Sequence, residues 1–243
     1  MLPQTITEFG YAKINLALHV TGQRADGYHL LDSLVVFAGI GDHLRATPAA
    51  EMSLSVSGPF ADGVPTGEDN LVLRAARLVA GDMGVAFSLV KSLPPTSGIG
   101  GGSADAAAAI RAVTRLRAMA GSLKPLSPED GQKIVALGAD VPVCLASHPT
   151  RMRGIGEQLD WLPPARGACR AREPADRGAD ARRLQGAGAK ENPPLPDQVP
   201  AWVDAADMAA WLVGTRNDLQ GPALAVAPQI GRVLTELEQL PGR

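Results

Sequence analysis

Between Ser97 and Ser103 the chain reads "SGIGGGS", four glycines in seven residues, and an alanine-rich run, "ADAAAAIRA", follows at once. Glycine loses more backbone freedom on ordering than any other residue, so such a cluster needs a compensating contact. A glycine loop that follows a strand and opens a helix supplies one. Its amide N–H groups converge, the helix N terminus adds partial positive charge, and absent side chains let phosphate oxygens touch the main chain. The Ser103 hydroxyl adds another donor. Neither of the commonest phosphate motifs fits. A Walker loop requires Gly-Lys-Ser/Thr, which is missing here, and G-x-G-x-x-G counted from Gly98 fails at Ser103. Taken alone, the loop also reads as a glycine-rich tight turn, although three consecutive glycines exceed what a turn needs.

Elements able to hold this loop are legible on both sides of it. Upstream, "KINLALHV" alternates as a strand that sets Lys13, Asn15 and Ala17 on one face and Ile14, Leu16 and Leu18 on the other. "ADG" supplies turn chemistry before a second apolar run, "YHLLDSLVVFA". "EMSLSVSG" and "VAFSLVKSL" are further strand candidates. Between them, "EDNLVLRAARLVAGDMG" has helical spacing, with Leu71, Ala75, Leu78 and Val79 on one face and Gly81 at its end. Downstream of the glycines, Ala106, Ala109, Ile110, Val113, Leu116 and Met119 keep helical spacing as far as Gly121. The next helix is punctuated clearly: Ser127 as N-cap, Pro128 at the first position, Glu129 and Asp130 at the positive end of the dipole. Gly138 stops it and leaves Asp140 exposed just beyond.

Composition bounds the rest. At 243 residues, 45% hydrophobic and 20% charged, the chain is an ordinary globular protein with length enough for one large or two modest domains. A net charge of −2 gives no pull toward nucleic acid or anionic lipid, and 4% aromatics argues against base-stacking surfaces. Cys144 and Cys169 have no metal-ligand spacing and suggest a reducing compartment. With no signal-peptide pattern in "MLPQTITEFG" and no apolar run near the ~20 residues of a membrane span, the expected location is the cytoplasm. Beyond Pro164 the character changes. Ala165 to Lys190 holds eight alanines, six arginines and four glycines, with Leu184 its one large aliphatic side chain. Such a segment buries too little apolar surface to offset its ordering entropy, and reads as a disordered insert or a mistranslated stretch. Two helix candidates follow, "WVDAADMAAWLVGTRNDL" and "APQIGRVLTELEQL".

The segment "LPPTSGIGGGSADAAAA" resembles the nucleotide loop of the GHMP kinases, P-x-x-x-G-(L/I)-G-G-G-S-(A/S)-D-A-A. "AKINLALHVTGQRADGYHLLDSLVVF" and "LGADVPVCL" resemble the substrate and catalytic segments of the branch that phosphorylates a cytidine diphosphate-linked polyol. "RGIGEQLDWLP" and "TRNDLQGPALAVAP" extend the resemblance more loosely. It implies an α+β, two-domain GHMP kinase fold. An N-terminal domain resembling ribosomal protein S5 domain 2 would span residues 1–155, and an incomplete C-terminal α+β domain residues 156–243, with 165–190 disordered or aberrant. The implied reaction is phosphoryl transfer from ATP to a tertiary 2-hydroxyl on the route to isoprenoid precursors, with Mg2+ arriving on ATP. A homoserine or mevalonate kinase, or an inactive remnant, is the alternative.

By the same resemblance, Asp140 matches the family's base and Lys13 the lysine of A-K-I-N that favours the developing alkoxide. The phosphates would be wrapped by Pro94, Pro95, Thr96, Ser97, Gly98, Ile99, Gly100, Gly101, Gly102, Ser103 and Ala104, with Lys91 and Asn70 near the adenine. Asn15 would bond the polyol, and Tyr28 and His29 would stack on and read the cytosine. Asp105 is expected to act only on the helix dipole, and Cys144, His19, His43 and His148 to be structural or surface residues. The expected partners are small molecules, with no nucleic acid or membrane, no metal held by protein ligands, and a monomer or weak homodimer. Two departures stand out: residues 165–190 replace an apolar strand, as an out-of-frame reading followed by a compensating shift at "NPPLP" would do. The chain also closes on "LEQLPGR" without the family's M-S-G-S-G-(A/P)-(T/S) motif, from which low stability or activity is expected.

Overall fold

Two long strands dominate the computed structural model, which describes residues 4–95, 97–163 and 191–239. Thr96 and the alanine- and arginine-rich stretch 165–190 lie outside the described residues. Strand β1 (Ile6–Gln23) and strand β2 (His29–Ala49) pair with each other. The reversal between them is closed by the Arg24 N–H donating to the Tyr28 carbonyl at 2.8 Å, with Gly27 at φ +91°. The period-2 alternation expected in β1 gives way to runs of buried neighbours, Ala12–Lys13 and Ala17 to Val20. A strand covered on both faces loses the alternation that a half-exposed strand keeps.

The chain forms two compact units, each assembled from separate segments. The first takes residues 1–14, 37–95 and 99–148, the second 15–36, 96–98 and 149–243. A cut at residue 155 does not describe this division, because β1 and β2 each contribute residues to both units.

In the first unit, strand β3 (Ser53–Ser57) runs parallel to strand β4 (Gly84–Val90), from Ser53 opposite Ala86 to Ser57 opposite Val90. Parallel neighbours need a crossover, here helix α1 (Leu71–Ala80). β4 in turn pairs antiparallel with β2, His43 to Ala49 against Val90 to Gly84. The sheet buries Leu44, Ala46, Val85, Phe87 and Leu89. Helix α2 (Gly101–Met119) buries Ala106, Ala107, Ala108 and Ala109 consecutively, so it is covered nearly all round at that level. Alanine suits this place, being a strong helix former whose small side chain lets neighbouring elements approach closely. Helix α3 (Pro128–Leu137) starts as expected, and Asp130 also completes a reciprocal capping box with Ser127. A short helix not anticipated from the sequence, α4 (Val141–Ala146), begins at once after Asp140. At six residues it is too short to show a period.

The second unit pairs Leu31–Val35 of β2 with strand β5 (Thr150–Gly154), which forms a hairpin with strand β6 (Gln158–Trp161). Helices α5 (Ala205–Leu212), α6 (Gln220–Val226) and α7 (Gln229–Glu238) follow. The hairpin and α6 were not anticipated. Ala17, Leu34 and Leu195 centre the core, with Leu16, Leu162, Trp202 and Trp211 packed around them. Beside it lies a buried ion pair. Arg151 donates through Nε and Nη2 to both oxygens of Asp32, at 2.9 and 2.7 Å, and to the carbonyls of Leu195, Pro196 and Asp197. Among the described residues no helix is long and apolar enough to cross a membrane.

Removing one partner of a buried pair leaves an uncompensated charge, which costs about 3–5 kcal/mol. Asp32→Ala should therefore lower the urea-unfolding free energy by about that amount. A loss below about 1 kcal/mol, the scale of an exposed pair, would contradict it.

Candidate active site

The glycine loop meets β1 through the main chain: the Lys13 N–H donates to the Ile99 carbonyl at 2.9 Å. Next to this bond, Gly100 occupies the left-handed region at φ +71° and precedes the first residue of α2. A Cβ there would lie 3.2 Å from Lys13 Cβ, so the Lys13 stem fills the space a side chain would take. No side chain caps α2 at Gly100, which leaves its first amides directed at the loop, where the helix dipole favours an anion.

Lys13 is almost completely buried, and its ammonium sits 3.2 Å from Oδ2 of Asp140, a side chain 33% exposed. Asp140 was expected to stand exposed just beyond a helix end. Instead it forms the N-terminal junction of α4, its carbonyl accepting from the Cys144 N–H. The turn that carries it runs beside the start of α2, since a side chain on Gly138 would meet Ser103 Oγ at 3.6 Å. Arg111 ties the same elements together from behind. Its guanidinium donates to the carbonyls of Cys144 in α4 and Phe9 in β1, and pairs with Glu8 at 2.9 Å. Cys144 is buried and its thiol is pushed up to about 12 by that burial, which makes it an inert packing residue.

Lys91 and Asn70, expected near the adenine, both hold partners within the protein. Lys91 is buried, its ammonium bonded to Asp42 and, at 2.8 Å, to Oδ2 of Asp105. Burial works against its charge most, but Asp105 and Asp42 together outweigh it and raise its pKa. Asn70 caps α1, its Oδ1 accepting from the Val72 N–H at 2.8 Å while Nδ2 donates to the Pro65 carbonyl. Asp105 lies past the first turn of α2, inside the protein rather than at the dipole's end. Its Oδ1 is buried with no hydrogen-bond partner among the described residues, on the side of Gly10, where a Cβ would come within 3.1 Å of it. Burial raises its carboxyl from 3.8 to about 7. Asp42 was not identified from the sequence, because nothing in "GIGDHL" marks its aspartate as buried.

In the second unit, Asn15 Nδ2 donates to Ser33 Oγ at 2.7 Å, and that hydroxyl donates to the Ala17 carbonyl. The Asn15 side chain is thus held in one orientation. Tyr28 is 55% exposed at the β1–β2 reversal, with His29 half-buried after it. His19 is buried, its ring between the Pro193 carbonyl and the Arg216 N–H. Pro94, Pro95, Ser97 and Gly98 complete the described part of the loop.

Two outcomes follow from this geometry. Gly100→Ala should destabilise the protein by about 1–2 kcal/mol, the cost of a side chain in the left-handed region, seen as a lower urea midpoint. An unchanged midpoint would show that the loop rearranges freely. Since the folded chain holds a proton on Asp105 that the unfolded chain has released, this group's stabilisation is complete below pH 3.8 and lost as pH rises through about 7. Unfolding free energy measured across that window should fall, and Asp105→Asn should flatten the slope.

Comparison with known proteins bears on this arrangement. Residues 70–148, which include the loop and Asp140, match the GHMP kinases N terminal domain. The 4-diphosphocytidyl-2-C-methyl-D-erythritol kinase of Cereibacter sphaeroides (strain ATCC 17029 / ATH 2.4.9) is 49% identical over 243 residues, covering 96% of this chain and 82% of that protein. The protein of the same name in Ruegeria pomeroyi is 48% identical over 236 residues, with 96% and 81% covered. A crystal structure of 4-(cytidine 5'-diphospho)-2C-methyl-D-erythritol kinase superposes with a TM-score of 0.69 at 30% identity, covering 96% of this chain and 82% of that one. Homoserine kinase from Cytophaga hutchinsonii shares the fold alone, at a TM-score of 0.50 and 13% identity, with 95% and 72% covered.

Proposed function

Because the chain belongs to the family of 4-diphosphocytidyl-2-C-methyl-D-erythritol kinases, we propose that it phosphorylates the 2-hydroxyl of 4-diphosphocytidyl-2-C-methyl-D-erythritol with ATP. The observation that carries this reading is the Lys13–Asp140 pair at 3.2 Å, on elements that flank the uncapped start of α2. A tertiary alcohol is a crowded and weakly acidic nucleophile, so transfer depends on position and charge more than on covalent chemistry.

In the proposed step, the substrate hydroxyl gives its proton to the Asp140 carboxylate as its oxygen bonds to the γ-phosphorus. The bond from that phosphorus to the β–γ bridging oxygen breaks, and ADP leaves with the electron pair. The Lys13 ammonium stabilises negative charge gathering on the attacking oxygen. Amides of Gly101, Gly102 and Ser103 face the phosphates, supported by the helix dipole. Asn15, pre-oriented by Ser33, bonds the polyol, and Tyr28 and His29 read the cytosine. The partners in this reading are two small molecules, ATP and a cytidine diphosphate-linked polyol, acting on a monomer or weak homodimer. Among the described residues no three His, Cys, Asp or Glu side chains group as a metal site. Magnesium would enter on the triphosphate it neutralises.

A homoserine substrate is less well supported, since the likeness there is of fold at 13% identity against 49% for the cytidyl-polyol kinases. ADP release with the cytidyl substrate tests the assignment. Asp140→Asn should lower kcat by roughly 10²–10⁴-fold, the usual yield of a general base, while ATP still binds. Lys13→Ala should also lower kcat. A fully active Asp140→Asn variant would refute the mechanism, and transfer to homoserine in place of the cytidyl substrate would refute the specificity.

A further inference from the structure

Asp42, Lys91 and Asp105 have no part in the proposed chemistry, yet all three side chains are buried. Burying ionisable groups carries a large desolvation penalty, so a triad kept inside the protein calls for a role that apolar packing would not fill as well. Their connections suggest one. Asp42 Oδ1 accepts from the main-chain N–H groups of Ser92 and Leu93, at 2.6 and 2.8 Å, and so holds the chain as it leaves β4. Asp42 Oδ2 bonds the Lys91 ammonium, which bonds Asp105 Oδ2 in α2. The chain between these anchors is the glycine loop. The charges also lie directly beneath its far end, since a Cβ on Gly101 would sit 3.5 Å from Lys91 Nζ and 3.8 Å from Asp42 Oδ2.

We propose that Asp42 and Asp105, joined through Lys91, are positioning residues that hold the entry and the exit of the glycine loop in register for the nucleotide's phosphates. This rests on the kinase reading above. Lys91 then acts through the carboxylates on either side of it and not by touching the nucleotide. The glycines of the loop carry no side chains of their own to fix them, and Gly100 offers none to cap α2. A strut between the end of β4 and α2 would set the spacing of the loop's amides before ATP arrives, which lowers the ordering cost of binding.

Asp105→Asn discriminates between the two roles for Lys91. If Lys91 contacts ATP itself, removing a carboxylate that holds it leaves affinity unchanged or improved. If it works as a strut, weakening the link lets the loop drift. Calorimetric titration with the non-hydrolysed ATP analogue AMP-PNP, on the full chain, should then show Kd about tenfold higher. KM for ATP should rise by a similar factor, with kcat and KM for the cytidyl substrate within about twofold of the parent. The paired substitution Lys91→Met with Asp105→Leu removes both groups of the strut's second link and leaves Asp42 on its two amides. It should weaken the nucleotide at least as much while the fold, followed by circular dichroism, persists. Nucleotide binding that is unchanged or tighter in either variant overturns the proposal. Failure of the unmodified chain to bind the analogue would overturn the kinase reading, and this assignment with it.

Discussion

The contact between β1 and the start of α2 is the constraint from which the first unit's chemistry follows. One main-chain hydrogen bond, from Lys13 N–H to the Ile99 carbonyl, docks the glycine loop onto the strand. The missing side chain at Gly100 lets the Lys13 stem pass against the loop, and the missing one at Gly10 lets the strand lie against Asp105 and Ala104. The strand's register thereby determines where the Lys13 ammonium emerges. A cation is carried to an uncapped helix N terminus by backbone geometry, with no need for a long and mobile side chain to find its place.

Around this contact the structure uses charge in two ways. The Lys13–Asp140 pair is partly open on the Asp140 side, the access that the proposed proton transfer requires. The Asp42–Lys91–Asp105 triad is closed, and so is the Asp32–Arg151 pair in the second unit, where the guanidinium also takes up three carbonyls. Closed pairs gain from low dielectric and lose access. Arg111 belongs with the second kind in purpose, because it fastens the carbonyl end of α4 and the strand β1 to one helix. The two elements that bear Lys13 and Asp140 therefore share an anchor remote from the reacting atoms.

Much of the first unit was legible residue by residue. The Ser127–Pro128 start of α3, the Gly81 end of α1, the β3 and β4 segments and the long helix after the glycines all follow from local rules on capping, turns and period. The elements that escaped were short or fully covered. Helix α4 has six residues and α6 seven, too few to show a helical period, and β5 buries three consecutive residues, which masks the alternation of a strand. β1 was legible as a strand, but its expected alternation was not met, since burial on both faces erased it.

What the sequence by itself determined is the chemical inventory: a loop free of side chains, a helix start beside it, a lysine and an aspartate in recognisable settings, and with them the family. These are local properties, written in runs of a few neighbouring residues. Only the tertiary structure decided which charges are enclosed and which pair with a group open to solvent. Lys13 and Lys91 look alike in the sequence, each a lysine near the end of an apolar strand. One meets a carboxylate that reaches solvent and the other is enclosed by two that do not. That difference is set by residues 49 and 14 positions from Lys91 along the chain. Desolvation is a property of the packed surroundings, and no short stretch of sequence contains them.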